Sequence, residues 1–205
     1  MQEMWNERYG AESYAYGTEP NTFFAESFSW LKDAKNILLA AEGEGRNAVY
    51  AAKNGLRVSA FDISEAGKTK AYALAAANSV SIDYEVGDFL KMDFEPSTFD
   101  AAGLIYAHFS PPILSIYHQR IVELLKPNGL LILEGFSTNN LPYREANPKI
   151  GGPDKIEMLF SIERIKKEFP TLEILQLEEV EVELNEGLYH QGKGKVIRFI
   201  GRKKA

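Results

Sequence analysis

The sequence predicts an α/β fold: a doubly wound, mostly parallel sheet of seven strands in the order 3-2-1-4-5-7-6, with the last strand antiparallel. Three observations predict it. Apolar runs near 36–41, 56–61, 82–86, 99–106 and 129–136 alternate with helical patterns near 46–53, 64–77 and 111–125, a spacing that makes a parallel sheet covered by helices on both faces. A glycine turn at Gly43 and Gly45 joins the first strand to the first of these helices. Finally, Val180, Val182 and Leu184 alternate with Glu179, Glu181 and Glu183, and an apolar run at 195–201 follows a turn at 185–192. That period of two marks a closing hairpin.

Taken in order, residues 1–30 carry Trp5, Tyr9, Tyr14, Tyr16, Phe23, Phe24, Phe28 and Trp30 around Gly17 and Pro20. They read as short helices around a loop, an N-terminal cap, and Gly10 and Gly17 permit the hinge motion of a lid. Residues 36–136 form the central alternation. Its last helix starts at Ser110 as N-cap with Pro111 at the first helical position, and buries Ile113, Leu114, Tyr117, Ile121 and Leu124. Residues 137–160 hold Pro142, Pro148, Gly151, Gly152 and Pro153, which is too much punctuation for one element, so they read as a long loop with room for one short helix. A helix near 161–168 precedes the hairpin. A chain of 205 residues is long enough for one well-packed domain and short for two, so 1–205 is expected to be a single domain: cap at 1–30, core at 36–136, and loop, helix and hairpin at 137–205.

A net charge of −6 argues against grip on nucleic acid, which needs clustered Lys and Arg against phosphates. With no cysteine there is neither a disulfide framework nor a thiolate metal site, and the three histidines show no ligand spacing, so no metal is expected. No apolar run approaches the ~20 residues of a membrane span, and Glu3, Glu7 and Glu12 do not fit a signal peptide. A cytoplasmic protein without membrane partners is the expectation.

The chemistry concentrates at the exits of the strands. Gly43 and Gly45 let backbone approach a ligand at the start of a helix. Asp62 ends the second strand, 17 residues after Gly45, where a carboxylate accepts both hydroxyls of an adenosine ribose. Gly87-Asp88-Phe89 follows the third strand, an acid and an aromatic suited to the amino group and face of an adenine. In order and spacing, together with Leu125-Lys126-Pro127-Asn128-Gly129 before the fifth strand, these positions resemble class I S-adenosylmethionine-dependent methyltransferases. The residues Trp5, Arg8-Tyr9, Tyr16-Gly17-Thr18-Glu19-Pro20-Asn21, Glu186-Gly187, His190 and Gly192 are similar to the small tellurite-resistance and thiopurine-methyltransferase-like group. Two positions depart from the pattern: Leu39 stands where the first strand usually carries an acid, and Ala41 where the turn usually has its first glycine.

The resemblance implies a Rossmann-like methyltransferase fold, S-adenosylmethionine as cofactor, and a small acceptor such as a thiol, a chalcogen compound or a similar xenobiotic. In that reading Asp62, with Ile63 beside it, holds the ribose, Asp88 and Phe89 hold the adenine, and Ala41, Glu42, Gly43, Gly45 and Arg46 take the methionine end. Arg46 either pairs with the methionine carboxylate or lies on the helix surface. Tyr16 and Tyr106 border both cofactor and acceptor, and Tyr143, Arg144, Tyr189 and His190 complete the acceptor ring. His108, after the fourth strand, is the leading candidate for a proton acceptor because its ordinary pKa lies near neutrality; Tyr106 is the second. His118 falls in a helix pattern and is expected to be exposed or half-buried. Ser110-Pro111-Pro112 begins like the motif of methyltransferases acting on DNA amino groups, but Ile113 cannot stack on a flipped base. Tyr189 and Lys193 form Y-x-x-x-K by coincidence, since they lie in a hairpin and not on a helix. The Glu179/Glu181/Glu183 row reads as a solvated face opposite Lys195 and Arg198. A monomer or homodimer is expected. Two other classes keep the same turn, a non-catalytic cofactor-binding protein and a nicotinamide oxidoreductase, although the latter would normally continue parallel where the hairpin turns back.

Overall fold

The computed structural model describes residues 1–205. Seven strands form one sheet in the order β3-β2-β1-β4-β5-β7-β6: β1 (Asn36–Ala40), β2 (Arg57–Asp62), β3 (Asp83–Val86), β4 (Phe99–Ile105), β5 (Leu125–Phe136), β6 (Leu172–Glu186) and β7 (His190–Lys203). The first five pair in parallel, and β7 runs antiparallel to both β5 and β6. This is the predicted order. No helix is long and apolar enough to cross a membrane.

The strands read as apolar runs because both faces are covered. On one face α3 (Arg46–Lys53) and α4 (Glu65–Ala77) pack Ala48, Ala51, Ala71 and Leu74 against Ile37, Leu39 and Val58. On the other, α5 (Pro111–Leu124) and α7 (Ile162–Glu168) pack Leu114, Tyr117, Ile121 and Ile165 against Leu38, Leu104, Leu131 and Phe199. Gly103 on β4 is in van der Waals reach of Leu39 and Phe24, and any Cβ there would come within 2.5 Å of a Leu39 methyl. The residues before β1 form α1 (Gln2–Gly10), α2 (Thr22–Glu26) and a 3₁₀ turn. Asn21 caps α2 by accepting from the Phe24 N–H at 2.9 Å.

Five local expectations change. The hairpin turn is shorter than 185–192: the ladder continues to Glu186↔His190, although the polar/apolar alternation stops at Leu184, because Glu186 finds Arg46 and His190 as partners on the inner face. Segment 137–160 contains α6 (Leu141–Ala146) and three 3₁₀ turns, not one short helix. Ser110 does occupy the N-cap of α5, but its side chain makes no capping bond. His118 is fully buried, not exposed or half-buried, because its face of α5 is covered by α7, where Glu168 meets its Nδ1 at 3.3 Å. Arg198 does not face the glutamate row; its Nε donates to the buried Glu134 at 2.7 Å, while Lys195 and Lys193 meet Glu179 and Glu181.

The topology places the site. Between β1 and β4 the chain leaves in opposite directions, and in open α/β sheets that switch point opens a crevice at the carboxyl ends of the strands. Ala41 and Tyr106 are the first residues past β1 and β4, and both adopt left-handed backbone, with φ of 52° and 53°. Non-glycine residues rarely hold that conformation, which recurs at functional sites.

Candidate active site

A cavity of about 640 Å³ opens at this crevice, within the roughly 300–1,000 Å³ of small-ligand sites. Its floor is the turn after β1. Gly43 has φ of +61°, and a Cβ on it would lie 2.6 Å from the Tyr9 hydroxyl, so glycine here is required both by backbone and by space. Tyr84 reaches up from β3 and donates to the Gly43 carbonyl at 2.7 Å. Glu42 turns inward and accepts from the Ala48 N–H at 2.7 Å, satisfying one of the free donors at the start of α3. Burial pushes the Glu42 carboxyl up to about 7, against the hydrogen bond from Ala48 and the charge of Arg46.

Asp62 ends β2 with its carboxylate in the cavity wall. Oδ2 accepts from the Gly43 N–H at 3.1 Å and Oδ1 from the Ser64 N–H at 3.0 Å, which fixes the carboxylate plane beside the turn. Burial pushes its pKa up to about 6 although these backbone donors oppose the shift. Ile63 and Phe61 continue this wall, and helix α1 roofs it with Trp5, Arg8 and Tyr9. Trp5 stacks on Tyr9 with ring centroids 5.2 Å apart. A strand-terminal carboxylate, a turn with no room for a side chain and an aromatic roof fit an adenosyl cofactor.

The opposite wall is polar and cross-linked. Tyr106 donates through its hydroxyl to Glu134 at 3.0 Å, and burial together with the Glu134 charge raises its phenol well above the ordinary value. Arg46 is buried, not on the helix surface; it donates to Glu186 at 2.9 Å and to the Tyr16 carbonyl at 3.3 Å. His190 approaches the same Glu186 oxygen through Nδ1 at 2.8 Å. Burial pushes Glu186 up, but the His190 hydrogen bond and the Arg46 charge outweigh it and hold the carboxyl at about 2. The His190 ring packs on Tyr16, Tyr106 and Phe136. Its Nε2 makes no protein hydrogen bond and is not sealed from the cavity, since the sealed, unpartnered side-chain atoms are His118 Nε2 and Asn140 Nδ2.

Eleven sequence-predicted residues line the cavity: Tyr16, Ala41, Glu42, Gly43, Arg46, Asp62, Ile63, Tyr106, His108, Arg144 and His190. Five do not. Gly45, with φ of +88°, is held against Ala71 of α4, where a Cβ would meet the Ala71 Cβ at 2.6 Å; its role is helix packing. Asp88 faces away and accepts from Leu90 N–H and the Tyr117 hydroxyl. Phe89 turns under the sheet, fully buried and stacked flat on Phe61 at 4.3 Å, so Phe61 stands between it and the cavity. Tyr143 points its hydroxyl outward to Glu181 at 2.7 Å. Tyr189 sits in the hairpin turn under the Arg8 guanidinium.

His108 lines the cavity but has no nitrogen free to take a proton. Nδ1 lies 2.8 Å from the Met158 carbonyl and Nε2 accepts from the Phe136 N–H at 3.0 Å, a pairing that fixes the Nδ1–H tautomer. Burial pushes its pKa down to about 4. It ties β5 to the 152–158 segment. The residues that sequence reasoning missed, Glu134, Phe136 and Met158, carry only the signal of an ordinary strand or loop; Glu134, a charge inside an apolar run, was the one visible anomaly.

The comparisons with known proteins agree with this geometry. A family model described as a methyltransferase domain matches residues 37–129. Among curated proteins, the sterol 24-C-methyltransferase ERG6 of Saccharomyces cerevisiae is 32% identical over 106 residues, covering 49% of this chain and 28% of that protein. ERG6B of Gibberella zeae is 26% identical over 174 residues, covering 78% and 46%. The chain therefore spans less than half the length of these curated relatives. Among solved structures, one from work on the conversion of a disulfide bond into a thioacetal group during echinomycin biosynthesis superposes with a TM-score of 0.79 at 17% identity, covering 100% of this chain and 92% of that one. A SAM-dependent methyltransferase from Anabaena variabilis gives 0.72 at 15%, covering 99% and 93%. TehB from Haemophilus influenzae gives 0.69 at 15%, covering 99% and 67%. The match at 37–129, the fold shared with methyltransferase structures, and the Gly43 turn and Asp62 carboxylate that border one cavity together make this chain similar to S-adenosylmethionine-dependent methyltransferases.

Proposed function

We propose that this chain transfers a methyl group from S-adenosylmethionine to the sulfur or other chalcogen of a small acceptor. The observation that carries this reading is the continuity of one cavity from the Gly43 turn and Asp62 to the wall of Tyr106, His190, Phe136 and Met158. The cofactor supplies a methyl activated on a sulfonium; the protein supplies alignment and a dry site. Asp62 accepts the ribose hydroxyls. The turn at Ala41, Glu42 and Gly43 and the buried Arg46 flank the methionine end, and Trp5 and Tyr9 cover the nucleoside side. Tyr16, Tyr106 and Arg144 border the acceptor, whose apolar body rests on Phe136 and Met158.

His190 takes the place that sequence reasoning gave to His108. Glu186 holds Nδ1, and the free Nε2 accepts the proton of the attacking thiol. Burial keeps His190 below its ordinary pKa, opposed by Glu186, so the ring is neutral and ready to accept near pH 7. The cavity reaches the surface between the exposed Met4 of α1 and Lys155, which supports turnover over mere cofactor storage. A second reading, a carbon acceptor, is favoured by the names of the curated relatives. The two differ in when a proton leaves: before attack for a thiol, after it for an alkene carbon.

The test is incubation with methyl-labelled cofactor and two panels, small thiols and isoprenoid alkenes, followed by mass spectrometry. Labelled thioethers support the proposal; labelled alkene products alone replace it with the second reading; S-adenosylhomocysteine binding without product from either panel removes both acceptors.

A further inference from the structure

Asn21 is nearly inaccessible and spends every polar group. Its Oδ1 caps α2, its N–H donates to Asn47 Oδ1 of α3 at 2.9 Å, and its Nδ2 donates to Glu134 at 2.7 Å and to Glu186 at 3.1 Å. These two carboxylates hold the two groups on the acceptor wall. Glu134, from β5, takes the Tyr106 hydroxyl on Oε1 and the Arg198 guanidinium of β7 on Oε2. Glu186, at the end of β6, takes Arg46 of α3 and His190 of β7 on Oε2, leaving Oε1 to Asn21. No other side chain touches both. Two carboxylates that converge on one nitrogen, Glu134 buried and Glu186 half-buried, repel unless a donor lies between them, and a single amide from the N-terminal residues supplies that donor.

We propose that Asn21 is a positioning residue: the N-terminal cap sets the acceptor wall through it, orienting Tyr106 by way of Glu134 and His190 by way of Glu186. The inference rests on the methyl-transfer reading given above. It assigns the cap a task beyond covering the cofactor, because a displaced Asn21 leaves Glu186 with Arg46 and His190 both on one oxygen and no donor on the other, and the His190 ring loses its reference. Arg198, which also reaches Glu26 on α2 at 3.8 Å, holds Glu134 Oε2 from the far side at 2.7 Å, so Glu134 keeps a cationic partner when Asn21 is replaced.

Asn21→Ser tests this cleanly. The serine hydroxyl keeps the α2 cap but cannot reach either carboxylate. Histidine titration followed by NMR, on protein with and without S-adenosylhomocysteine, needs no acceptor. With Glu186 deprived of the Asn21 donor, the His190 midpoint should rise by about 0.5 unit or more, while His108 and His118 titrate as in the wild type. With 2-mercaptoethanol as probe acceptor, kcat should fall about 10- to 100-fold while the Kd for S-adenosylhomocysteine moves less than about threefold. Asn21→Gln, with a longer arm carrying the same amide, should recover part of the loss. A variant that melts earlier yet keeps the wild-type His190 titration and kcat overturns the proposal and leaves Asn21 as a helix cap. Failure of the wild type itself to bind S-adenosylhomocysteine overturns the methyl-transfer reading instead.

Discussion

Replacing Gly43 and Gly45 by alanine separates the two tasks of the turn. Both have positive φ, +61° and +88°, and an L side chain there costs about 1–2 kcal/mol. Their surroundings differ. At Gly45 the new Cβ would lie 2.6 Å from the Ala71 Cβ and 2.8 Å from its Cα, so backbone must move, and overpacking adds about 1–3 kcal/mol. The total is about 2–5 kcal/mol, which at about 2–4 °C per kcal/mol for a chain of this size lowers Tm by about 4–20 °C. At Gly43 the obstacle is the Tyr9 hydroxyl at 2.6 Å, the end of a side chain that can swing aside. Stability then falls by the strain alone, about 2–8 °C, but Tyr9 is driven into the cavity it roofs. Scanning calorimetry and titration with S-adenosylhomocysteine check both. Gly45→Ala is expected to melt early and, where folded, to bind normally; Gly43→Ala is expected to melt nearly normally and lose about tenfold or more in affinity. Wild-type affinity in Gly43→Ala, or lost affinity with unchanged melting in Gly45→Ala, refutes the division of labour.

Three further outcomes follow from the same geometry. The native Glu42 pKa of about 7 lies above its unfolded value, so this group favours folding below about pH 4.5 and that contribution is lost as pH rises through 7; Glu42→Gln should gain up to about 3 kcal/mol over wild type above pH 7 and little at pH 4.5, measured by urea unfolding across pH. His108→Ala should destabilise by about 1–3 kcal/mol, because the Phe136 N–H and Met158 carbonyl lose their partner, yet keep the pH–rate profile, whereas His190→Ala should cut turnover of a thiol by about 10² to 10⁴; equal effects on rate contradict the assignment. Hydrogen exchange should slow across residues 9–24 on adding S-adenosylhomocysteine, and identical exchange with and without it would remove the lid from the account.

The sheet was legible because strand and helix periods differ and because the acid-alternating 172–184 run can only be a half-covered strand. The part of the cavity wall formed by Gly43 and Asp62 was legible for a related reason: a glycine turn and a strand-terminal acid are dictated by backbone geometry, so they appear at fixed places in the chain. Phe89 and Asp88 misled because sequence order says nothing of which way a ring leaves a 3₁₀ turn; Phe61, one residue before Asp62, took the inner position. The histidines were separable only in three dimensions. His108 and His190 both emerge at the carboxyl edge, but the partners that occupy one and free the other, Phe136 N–H, the Met158 carbonyl and Glu186, come from β5, a loop and β6. Glu134 and Asn21 were written in the chain as a charge in an apolar strand and a polar residue after a proline. Their meeting, 113 positions apart, depended on the sheet order bringing β5 beneath the N-terminal residues.

The most direct test of the central claim is S-adenosylhomocysteine formation from methyl-labelled S-adenosylmethionine, measured by mass spectrometry in a metabolite extract with wild type and with Asp62→Ala. The account predicts that wild type produces it alongside a labelled small-molecule product, and that Asp62→Ala, folded but short of about 1–3 kcal/mol of charged hydrogen bonds to the ribose, does so only at raised cofactor concentration. Equal product from both proteins, or tighter binding of NADH than of S-adenosylhomocysteine by the wild type, would contradict it.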